Sequence, residues 1–451
     1  MITAMVSFKV KKGALTRVAT ELSAIEEVAE VYSTTGPFDL LAHVQVREYE
    51  NLSDVVNDKI ASLPGIKDTM TVTAFKQYKF RRLDEGASPG SVVAPGEPDV
   101  PGPTASVRGR TAIAPVLAKL ADNFNLDRGE VFSVVDAINS GELSDVQIAG
   151  FLVGLTNKGP TVAEVAAIAD AMRRVAVPIR VTVDGELSDT CGTGGGLTTF
   201  NVSSANAILA AAGGVRVAKH GSRSISSSSG SADVLEALGI DIDPTPEQAA
   251  RLIETVGISF LNAPTFHPIM GRVFGPENEL GIKSIFFTII GPLINPAGAR
   301  NHSMGVYKPE LVSMMAQVVA EMDFNHVLIA HGVDGLDELS LVGRTMIADV
   351  YRGSIRYDEI APEDFGLRRC TPAEIAGGSP ERNAQIIRDL FTGRETGARR
   401  DFLLLNSGAT LYVNDKAASI ADGIALARAL LDSGAANAKL DELIAASRAA
   451  G

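Results

Sequence analysis

The segment from Asp84 to Gly109 constrains the fold of this chain more than any other feature. It is rich in proline, glycine and serine and shows little periodic hydrophobicity. A segment of this composition cannot bury enough apolar surface to fold by itself, and it behaves as an extended linker. We therefore predict two units, residues 1–82 and residues 110–451, joined by a flexible linker over residues 84–109.

The composition narrows the classes of protein to which the chain can belong. Its 451 residues suffice for two or three domains, and 45% hydrophobic residues are too many for a disordered chain. No apolar run approaches the roughly 20 residues of a membrane helix, and the net charge of −13 argues against nucleic-acid binding. Two distant cysteines, Cys191 and Cys370, cannot build a disulfide framework, which favours a reducing, cytoplasmic compartment. We expect neither a membrane nor a nucleic acid as a partner.

The first unit alternates between strand-like and helix-like patterns. Four β-rich runs enclose two segments whose apolar residues recur at helical spacing, namely Leu15, Val18, Leu22 and then Leu52, Val55, Val56, Ile60. The predicted strands are Ile2–Val10, Val28–Tyr32, Leu40–Val46 and Thr69–Phe75. The order βαββαβ predicts an α+β ferredoxin-like sandwich for residues 1–82.

Two short motifs in this unit carry a family resemblance. The runs Thr35-Gly-Pro-Phe-Asp-Leu-Leu and Leu63-Pro-Gly-Ile-Lys-Asp-Thr resemble the effector-binding module of the Lrp/AsnC transcriptional regulators. The resemblance covers essentially all of residues 1–80. It implies a homo-oligomer formed through the sheets, with a small, amino-acid-like effector held between subunits. A dimerisation module with no ligand is the alternative that the residues leave open.

The second unit contains two different patterns. From Arg110 onward, apolar residues recur at spacings of three and four, and Gly141 and Gly159 separate successive helices. From about Ser188, short apolar strands alternate with glycine-rich turns and Ala/Leu-rich helices, which is typical of parallel α/β folds. We predict a helical domain over residues 110–180 and an α/β parallel-sheet domain over residues 181–451.

The most informative stretch is a glycine-rich loop that follows Asp189-Thr-Cys. The glycines between Gly192 and Gly196 let backbone N–H groups approach an anion without interference from Cβ atoms. Asn201, Ser203 and Ser204 then open a predicted helix whose N-terminus is a natural seat for phosphate. A tight turn without a ligand would show the same glycine pattern, so the loop alone does not decide the function.

Two further stretches supply charges and hydroxyl groups. Lys219-His-Gly-Ser-Arg precedes the run Ser226–Ser229, and cations that bracket hydroxyls suit a pyrophosphate. Asp337 and Glu338 follow an apolar run in a glycine-containing loop. Adjacent carboxylates of this kind are suitable hard ligands for Mg²⁺, which we predict as the cofactor.

These stretches together resemble the anthranilate phosphoribosyltransferase family and, more broadly, its superfamily with the pyrimidine nucleoside phosphorylases. Further support comes from Gly257-Ile-Ser-Phe-Leu-Asn-Ala-Pro-Thr-Phe-His-Pro, Glu279-Leu-Gly-Ile-Lys-Ser-Ile-Phe and Gly291-Pro-Leu-Ile-Asn-Pro. Six motifs stand in the family's order between about Arg110 and Ser447. The resemblance implies transfer of a phosphoribosyl group from phosphoribosyl pyrophosphate to an aromatic or heterocyclic nitrogen acceptor, through an oxocarbenium-like state.

The resemblance also implies a role for each motif residue. Phosphoribosyl pyrophosphate would be held by Gly192, Thr193, Gly194, Gly195, Gly196, Thr199, Asn201, Ser203, Ser204, Lys219, Ser227, Ser228 and Ser229. The acceptor pocket would be formed by His220, Ser222, Arg223, His267, Glu277, Gly291 and Pro292. Mg²⁺ would be bound by Asp337 and Glu338 together with Ser203. No residue is assigned a catalytic role, and Cys191 is expected to be a small buried residue.

Four departures from the family pattern bear on the function. The acidic residue that follows the paired glycines in the family is absent, Ser222 replaces an asparagine, and Ser228 replaces a lysine. Glu277 stands where the family has an arginine that pairs with the anthranilate carboxylate. Because a carboxylate repels a carboxylate, we expect that anthranilate is not the acceptor, unless Arg272 or Lys283 supplies a cation instead.

Three functions remain open at this point. The first is a Mg²⁺-dependent phosphoribosyltransferase with an acceptor other than anthranilate. The second is a non-catalytic regulatory protein that binds phosphoribosyl pyrophosphate or a nucleotide, which the altered phosphate loops favour. The third is nucleoside phosphorolysis, although the loop lacks the serine-threonine-glycine pattern of that branch.

Overall fold

The computed structural model describes residues 2–11, 13–33, 38–46, 55–60, 62–74, 106–197, 199–223 and 229–450. The chain divides into two compact units, Met1–Asp99 and Val100–Gly451. Residues 84–105 of the predicted linker lie outside the described residues. The last four residues of the predicted linker, 106–109, are helical, since a helix begins at Ser106. No helix in the described ranges is long and apolar enough to cross a membrane.

The first unit is built around an antiparallel sheet. Its described elements are β1 (Ile2–Val10), α1 (Leu15–Ser23), β2 (Val28–Ser33), β3 (Leu40–Val46), a π-helical turn (Val55–Ile60) and β4 (Ile66–Ala74). The strands are ordered β2-β3-β1-β4, which confirms the ferredoxin-like prediction. Alternate residues of β1 and β3, such as Phe8 and Val44, share one buried cluster with Val18 and Ile60 of the two helical segments.

One residue of the N-terminal motif has a visible structural role. The carboxylate of Asp39 accepts a hydrogen bond from the Val10 amide (2.8 Å), and the Asp39 amide donates to the Phe8 carbonyl. Asp39 therefore joins the start of β3 to the end of β1. The preceding motif residues, 34–37, lie outside the described residues.

The second unit begins with four helices: α2 (Ser106–Ala121), α3 (Arg128–Asn139), α4 (Asp145–Lys158) and α5 (Val162–Val175). Capping boxes start three of them, because Asp127, Ser144 and Thr161 each pair with a Glu or Gln three residues later. In the last of these, Glu164 also accepts hydrogen bonds from the Leu126 amide and Lys158.

The α/β domain contains a mostly parallel sheet of seven described strands. These are β5 (Leu187–Asp189), β6 (Arg216–Gly221), β7 (Ile258–Asn262), β8 (Asn301–Gly305), β9 (His326–Gly332), β10 (Thr345–Tyr351) and β11 (Ser354–Ile360). They are ordered β11-β10-β9-β8-β5-β6-β7. The predicted parallel α/β sheet is confirmed, and within it β10 runs antiparallel to both of its neighbours, β9 and β11. Arg352 and Gly353, both with positive φ, form the tight turn that makes this hairpin.

The second unit contains twelve further described α-helices. They are α6 (Val202–Ala212), α7 (Ser231–Leu238), α8 (Pro246–Thr255), α9 (Ala263–Phe266), α10 (Ile269–Leu280), α11 (Ile285–Thr288), α12 (Glu310–Glu321), α13 (Pro372–Ile375), α14 (Pro380–Phe391), α15 (Ala398–Val413), α16 (Ile420–Asp432) and α17 (Ala435–Ala450). The carboxyl ends of β5, β6, β8 and β9 meet at one edge of the sheet, because these strands are parallel. That edge is where α/β folds bind their ligands, and the predicted site residues follow these strands.

Candidate active site at the carboxyl edge of the sheet

The glycine-rich loop after β5 packs against the acidic loop after β9. A Cβ atom built on Gly196 would lie 2.5 Å from a carboxylate oxygen of Asp337, and the Gly194 amide hydrogen-bonds to the same side chain. The Thr193 amide donates to the Gly305 carbonyl at the end of β8 (2.9 Å). The structure therefore brings the predicted anion loop and the predicted metal ligands together.

The acidic loop and Lys219 form the charged centre of this edge. Burial raises the pKa of the Asp337 carboxyl. The pKa of Glu338 is raised well above its usual value, first by burial and second by Asp337, while Lys219 opposes the shift. Lys219 itself is only 2% exposed, and its ammonium group donates to the His220 carbonyl (3.0 Å). Two carboxylates that resist ionisation in this way are well placed to gain from a bound cation.

Asp337 and Glu338 do not form a complete protein cage for a metal. Within the described ranges, no group of three or more His, Cys, Asp or Glu side chains could hold a metal ion. Mg²⁺ commonly uses one or two carboxylates and completes its shell with water and substrate phosphates, so the donor set fits this ion. Ser203, the third predicted ligand, lies in the first turn of α6, and its carbonyl accepts a hydrogen bond from Thr190.

Asn201 occupies the N-cap position of α6 in a left-handed conformation, with φ of 62°. Its amide nitrogen donates to the Ser229 carbonyl (3.0 Å), and its oxygen accepts from Asn383 (2.8 Å). The side chain is therefore hydrogen-bonded within the protein, and its predicted contact with phosphoribosyl pyrophosphate stays a prediction. It fixes the start of α6 relative to the end of the serine run.

The other predicted phosphate-site residues have mixed placements. Thr199 forms an isolated bridge with Ala376 and is partly buried. Ser204 is fully buried, so its side chain does not face solvent at the helix start. Ser227 and Ser228 lie outside the described residues.

Part of the predicted acceptor pocket is assembled beside this centre. The rings of His220 and His267 pack edge to face, with centroids 5.0 Å apart. Nδ1 of His220 lies 3.1 Å from the carbonyl oxygen of Gly291, whose short 3₁₀ helix includes the buried Pro292. Burial lowers the pKa of His220 and, more strongly, that of His267. Both imidazoles are therefore neutral near pH 7.

The other three predicted acceptor residues bond to neighbouring protein groups. The Arg223 guanidinium pairs with Asp233 and Glu236 of α7, and Ser222 donates to the Arg223 carbonyl. Glu277, near the end of α10, is 1% exposed, and one carboxylate oxygen accepts from the Ser284 amide (2.8 Å). The second oxygen has no hydrogen-bond partner among the described residues. Burial raises the pKa of Glu277, although hydrogen bonds from Ser284 oppose the shift.

Sequence reasoning missed the residue that holds this edge together. Asp189 is fully buried, and one carboxylate oxygen accepts hydrogen bonds from the amides of Thr190, Cys191 and His220. The other oxygen accepts from the Asn295 side chain (2.8 Å). Asp189 thus links the ends of β5 and β6 with the segment that follows Gly291. Its only sequence signal is a carboxylate that ends a short apolar strand directly before the glycine loop.

The environment of Cys191 agrees with a passive role. Burial raises the pKa of its thiol to about 12, so the thiolate that a nucleophile requires is not formed near neutral pH. The Cys191 carbonyl instead lies 2.7 Å from Nε2 of His302.

Three family models match the chain. Residues 184–437 match the glycosyl transferase family a/b domain, residues 114–176 match the helical bundle domain of that family, and residues 3–84 match the Lrp/AsnC ligand binding domain. Both predicted resemblances are thereby confirmed.

Individual relatives and solved structures agree with these matches. The anthranilate phosphoribosyltransferase of Acetivibrio thermocellus is 45% identical over 329 residues, which cover 73% of this chain and 94% of the relative. That of Geobacter sp. strain M21 is 42% identical over 347 residues, covering 74% and 98%. The crystal structure of the Thermus thermophilus enzyme is 41% identical with a TM-score of 0.69, covering 74% of this chain and 99% of that one.

A more distant structure carries ligands. Anthranilate phosphoribosyltransferase from Saccharomyces cerevisiae in complex with PRPP and Mg is 25% identical, with a TM-score of 0.69 and coverage of 75% and 98%. Identity above 40% across nearly the whole length of the two bacterial relatives decides the assignment. This chain belongs to the anthranilate phosphoribosyltransferase family and carries an Lrp/AsnC ligand-binding domain before the helical domain.

Proposed function

We propose that this protein binds phosphoribosyl pyrophosphate with Mg²⁺ and transfers the phosphoribosyl group to a nitrogen of an aromatic or heterocyclic acceptor. The observation that carries the proposal is the packing of the glycine loop against Asp337, next to Glu338 and the buried Lys219. A pyrophosphate can be bound by the backbone amides of the glycine loop, the N-terminus of α6 and the cation of Lys219. Its metal ion can be bound by the carboxylates of Asp337 and Glu338. The complex of the Saccharomyces cerevisiae relative with PRPP and Mg supports this assignment.

The residues of this edge would act by positioning and by charge. The loop of Gly192–Gly196 and the first turn of α6 would orient the pyrophosphate, and Lys219 would stabilise the negative charge that develops on it as it leaves. Mg²⁺, held by Asp337 and Glu338, would supply further charge neutralisation when bound. Asp189 fixes both His220 and the glycine loop, so that acceptor and donor regions keep one geometry.

The acceptor that we propose is not anthranilate. Glu277 occupies the position where the family resemblance implies an arginine, and its carboxyl group is buried, with no cation of the described residues contributing to its pKa. The structure shows where the two cations that could replace that arginine lie. The Arg272 guanidinium donates to the Leu143 carbonyl (2.9 Å), and Lys283 is exposed. An acceptor that offers a hydrogen-bond donor to Glu277 fits this position better than a carboxylate.

The names of the relatives instead point to anthranilate as the acceptor. Three relatives at 42–45% identity are all anthranilate phosphoribosyltransferases. A direct comparison of acceptors therefore decides between the two assignments.

A non-catalytic role in binding phosphoribosyl pyrophosphate is the second candidate. The acidic residue missing from the glycine loop and Ser228, in place of a lysine, favour it. For the N-terminal unit, we propose that it binds a small amino-acid-like effector and supports homo-oligomerisation, as its family match suggests.

The test begins with binding and continues with turnover. Calorimetry with phosphoribosyl pyrophosphate, with and without Mg²⁺, should show binding that depends on the metal. The double change Asp337→Ala with Glu338→Ala should abolish it, while Asp323→Ala, an exposed carboxylate beside Arg300, should not. A screen of aromatic amines for pyrophosphate release would follow. No binding at millimolar ligand would refute the proposal, and binding without release by any amine would favour the regulatory role.

A further inference from the structure

Two buried asparagines of the C-terminal helices reach the loops at the carboxyl edge of the sheet. Asn406 of α15 is 1% exposed, and Asn383 of α14 has no exposed surface. Neither belongs to a motif that the sequence or the family resemblance assigned to the site. Each side chain nevertheless makes at least one hydrogen bond to a segment that carries predicted ligand-binding groups.

Asn406 holds the acidic loop by its backbone. Its amide oxygen accepts from the Leu339 N–H (3.0 Å), and its nitrogen donates to the Leu339 carbonyl (3.0 Å). The same nitrogen also donates to the Phe402 carbonyl within α15. Leu339 directly follows Glu338, so this two-point contact fixes the backbone of the loop that presents both carboxylates.

Asn383 restrains the start of α6, where phosphate binding is predicted, in a comparable way. Its nitrogen donates to the Asn201 side-chain oxygen (2.8 Å), and its oxygen accepts from the Gly378 amide (2.7 Å). A Cβ atom built on Gly377 would overlap the Thr199 carbonyl, so these two segments touch at their backbones. Because Asn201 also donates to Ser229, the chain of contacts runs from α14 to the start of α6 and to the end of the serine run.

We propose that Asn406 and Asn383 are positioning residues with separate tasks. Asn406 sets the loop of Asp337 and Glu338 and thereby the affinity for Mg²⁺. Asn383, acting through Asn201, sets the anion-binding start of α6 and thereby the affinity for phosphoribosyl pyrophosphate. This inference rests on the proposed function for its ligands, while the restraint of each loop is a property of the protein alone.

An amide is the side chain that suits these positions. It donates and accepts in one plane, so it can satisfy an N–H group and an oxygen atom at once. Truncation to alanine leaves buried polar groups unpaired, and the freed loop then spends part of its time away from the binding geometry. A loop that must be ordered before it binds shows a weaker apparent affinity.

The experiment compares Asn406→Ala and Asn383→Ala in the full chain. Calorimetry gives the dissociation constant of phosphoribosyl pyrophosphate at saturating Mg²⁺ and the Mg²⁺ concentration that supports half-maximal binding. We expect Asn406→Ala to raise the Mg²⁺ concentration for half-maximal binding about tenfold. We expect Asn383→Ala to raise the dissociation constant of phosphoribosyl pyrophosphate about tenfold. Hydrogen exchange without ligand should accelerate in residues 336–340 of the first variant and in residues 199–204 of the second.

A matched control is Asn206→Ala on α6. Asn206 is also buried (2% exposed), and among the described residues its amide donates to Thr410 and to neither loop. Wild-type values for both binding quantities in both variants would overturn the inference, as would Asn206→Ala producing the same changes. Where an alanine variant does not fold, the aspartate variant, which keeps the acceptor oxygen and loses the donor, takes its place. If the wild type binds no phosphoribosyl pyrophosphate, the proposed function fails, and hydrogen exchange alone then decides the inference.

Discussion

The backbone carbonyl of Asp337 lies directly against Gly305, so that a Cβ atom built on this glycine would overlap the carbonyl oxygen. Gly305 ends β8, and Asp337 belongs to the loop after the neighbouring β9. The contact leaves room for glycine alone. It sets the distance between the acidic loop and the Thr193 amide, which donates to the Gly305 carbonyl.

Gly305→Ala should therefore displace the acidic loop. We expect a loss of about 1–3 kcal/mol in the free energy of unfolding, as for other overpacked positions, and at least about a tenfold weaker Mg²⁺-dependent binding of phosphoribosyl pyrophosphate. Urea denaturation and calorimetry measure the two effects. Gly271→Ala is the control, because the residue is helical and, beyond its own helix, no heavy atom of the described residues lies within 4 Å of its Cβ position. Unchanged binding in Gly305→Ala would show that the loop has room to move.

Asp189→Asn should destabilise the junction of β5, β6 and the segment after Gly291. All four groups that bond the carboxylate are N–H donors, so an amide must turn its own NH₂ group toward at least one of them. Hydrogen bonds to a charged group are worth about 1.5–3 kcal/mol each, and we expect a loss of about 2–3 kcal/mol in the free energy of unfolding. Asp323→Asn, at a side chain 82% exposed, should stay within about 0.5 kcal/mol. Equal shifts in the urea midpoint would contradict the assigned role.

The parts of the molecule that sequence could predict are those that depend on local patterns. The apolar spacing of Leu15, Val18 and Leu22 suffices for a helix, and alternation suffices for β1 and β3. The glycine loop and the acidic pair were also found, because their chemistry lies within a few consecutive residues. The prediction of a homo-oligomer and the domain boundaries stay predictions.

The parts that sequence reasoning missed depend on contacts between distant residues. Asn383 bonds to Asn201 across 182 positions, and Asn295 bonds to Asp189 across 106. No periodicity or motif predicts such pairs, because each pair depends on how the helices and strands pack against one another. The packing also adds a contact that the motif does not predict. Two carboxylates of the following helix pair with Arg223, whose predicted role in the acceptor pocket stays a prediction.

The segment between the two units should be the preferred site of limited proteolysis. Its composition offers little apolar surface to protect it, and we expect a broad-specificity protease to cut between residues 84 and 105. Two fragments should persist, and mass spectrometry identifies their ends. Resistance of the native chain, under conditions that digest the urea-unfolded chain, would argue against the division.

Glu277→Gln should change how the stability of the protein depends on pH. Burial raises the pKa of Glu277 above its value in the unfolded chain, so the folded state holds the proton more tightly. Stability is then lost as the pH rises from the unfolded pKa through the folded pKa. Glutamine keeps an oxygen for the Ser284 amide and removes the ionisation. The free energy of unfolding of the variant should exceed that of the wild type by more at pH 8 than at pH 4.5. Urea midpoints of both proteins at both pH values measure this difference. Glu279→Gln, exposed on the same helix, should show no such gain.

Anthranilate should be a poor acceptor, and the reason that we assign is Glu277. A carboxylate that approaches this buried group meets a like charge at low dielectric, where repulsion exceeds that in water. The matched probe is 2-aminobenzamide, which keeps the ring and the reacting amine but carries a neutral amide. We expect pyrophosphate release with 2-aminobenzamide to exceed that with anthranilate in the wild type.

Lower pH should reduce the preference for 2-aminobenzamide over anthranilate, because protonation of Glu277 removes the like charge. The raised pKa of Glu277 shifts this protonation to higher pH than for an ordinary glutamate. In Glu277→Arg the preference should reverse, since a guanidinium pairs with the carboxylate in a bidentate manner. Ser222→Asn restores the second altered position and should increase the reversal. Anthranilate turnover by the wild type at an ordinary enzymatic rate, about 1 s⁻¹ or more, would refute the argument from Glu277 and make anthranilate the acceptor.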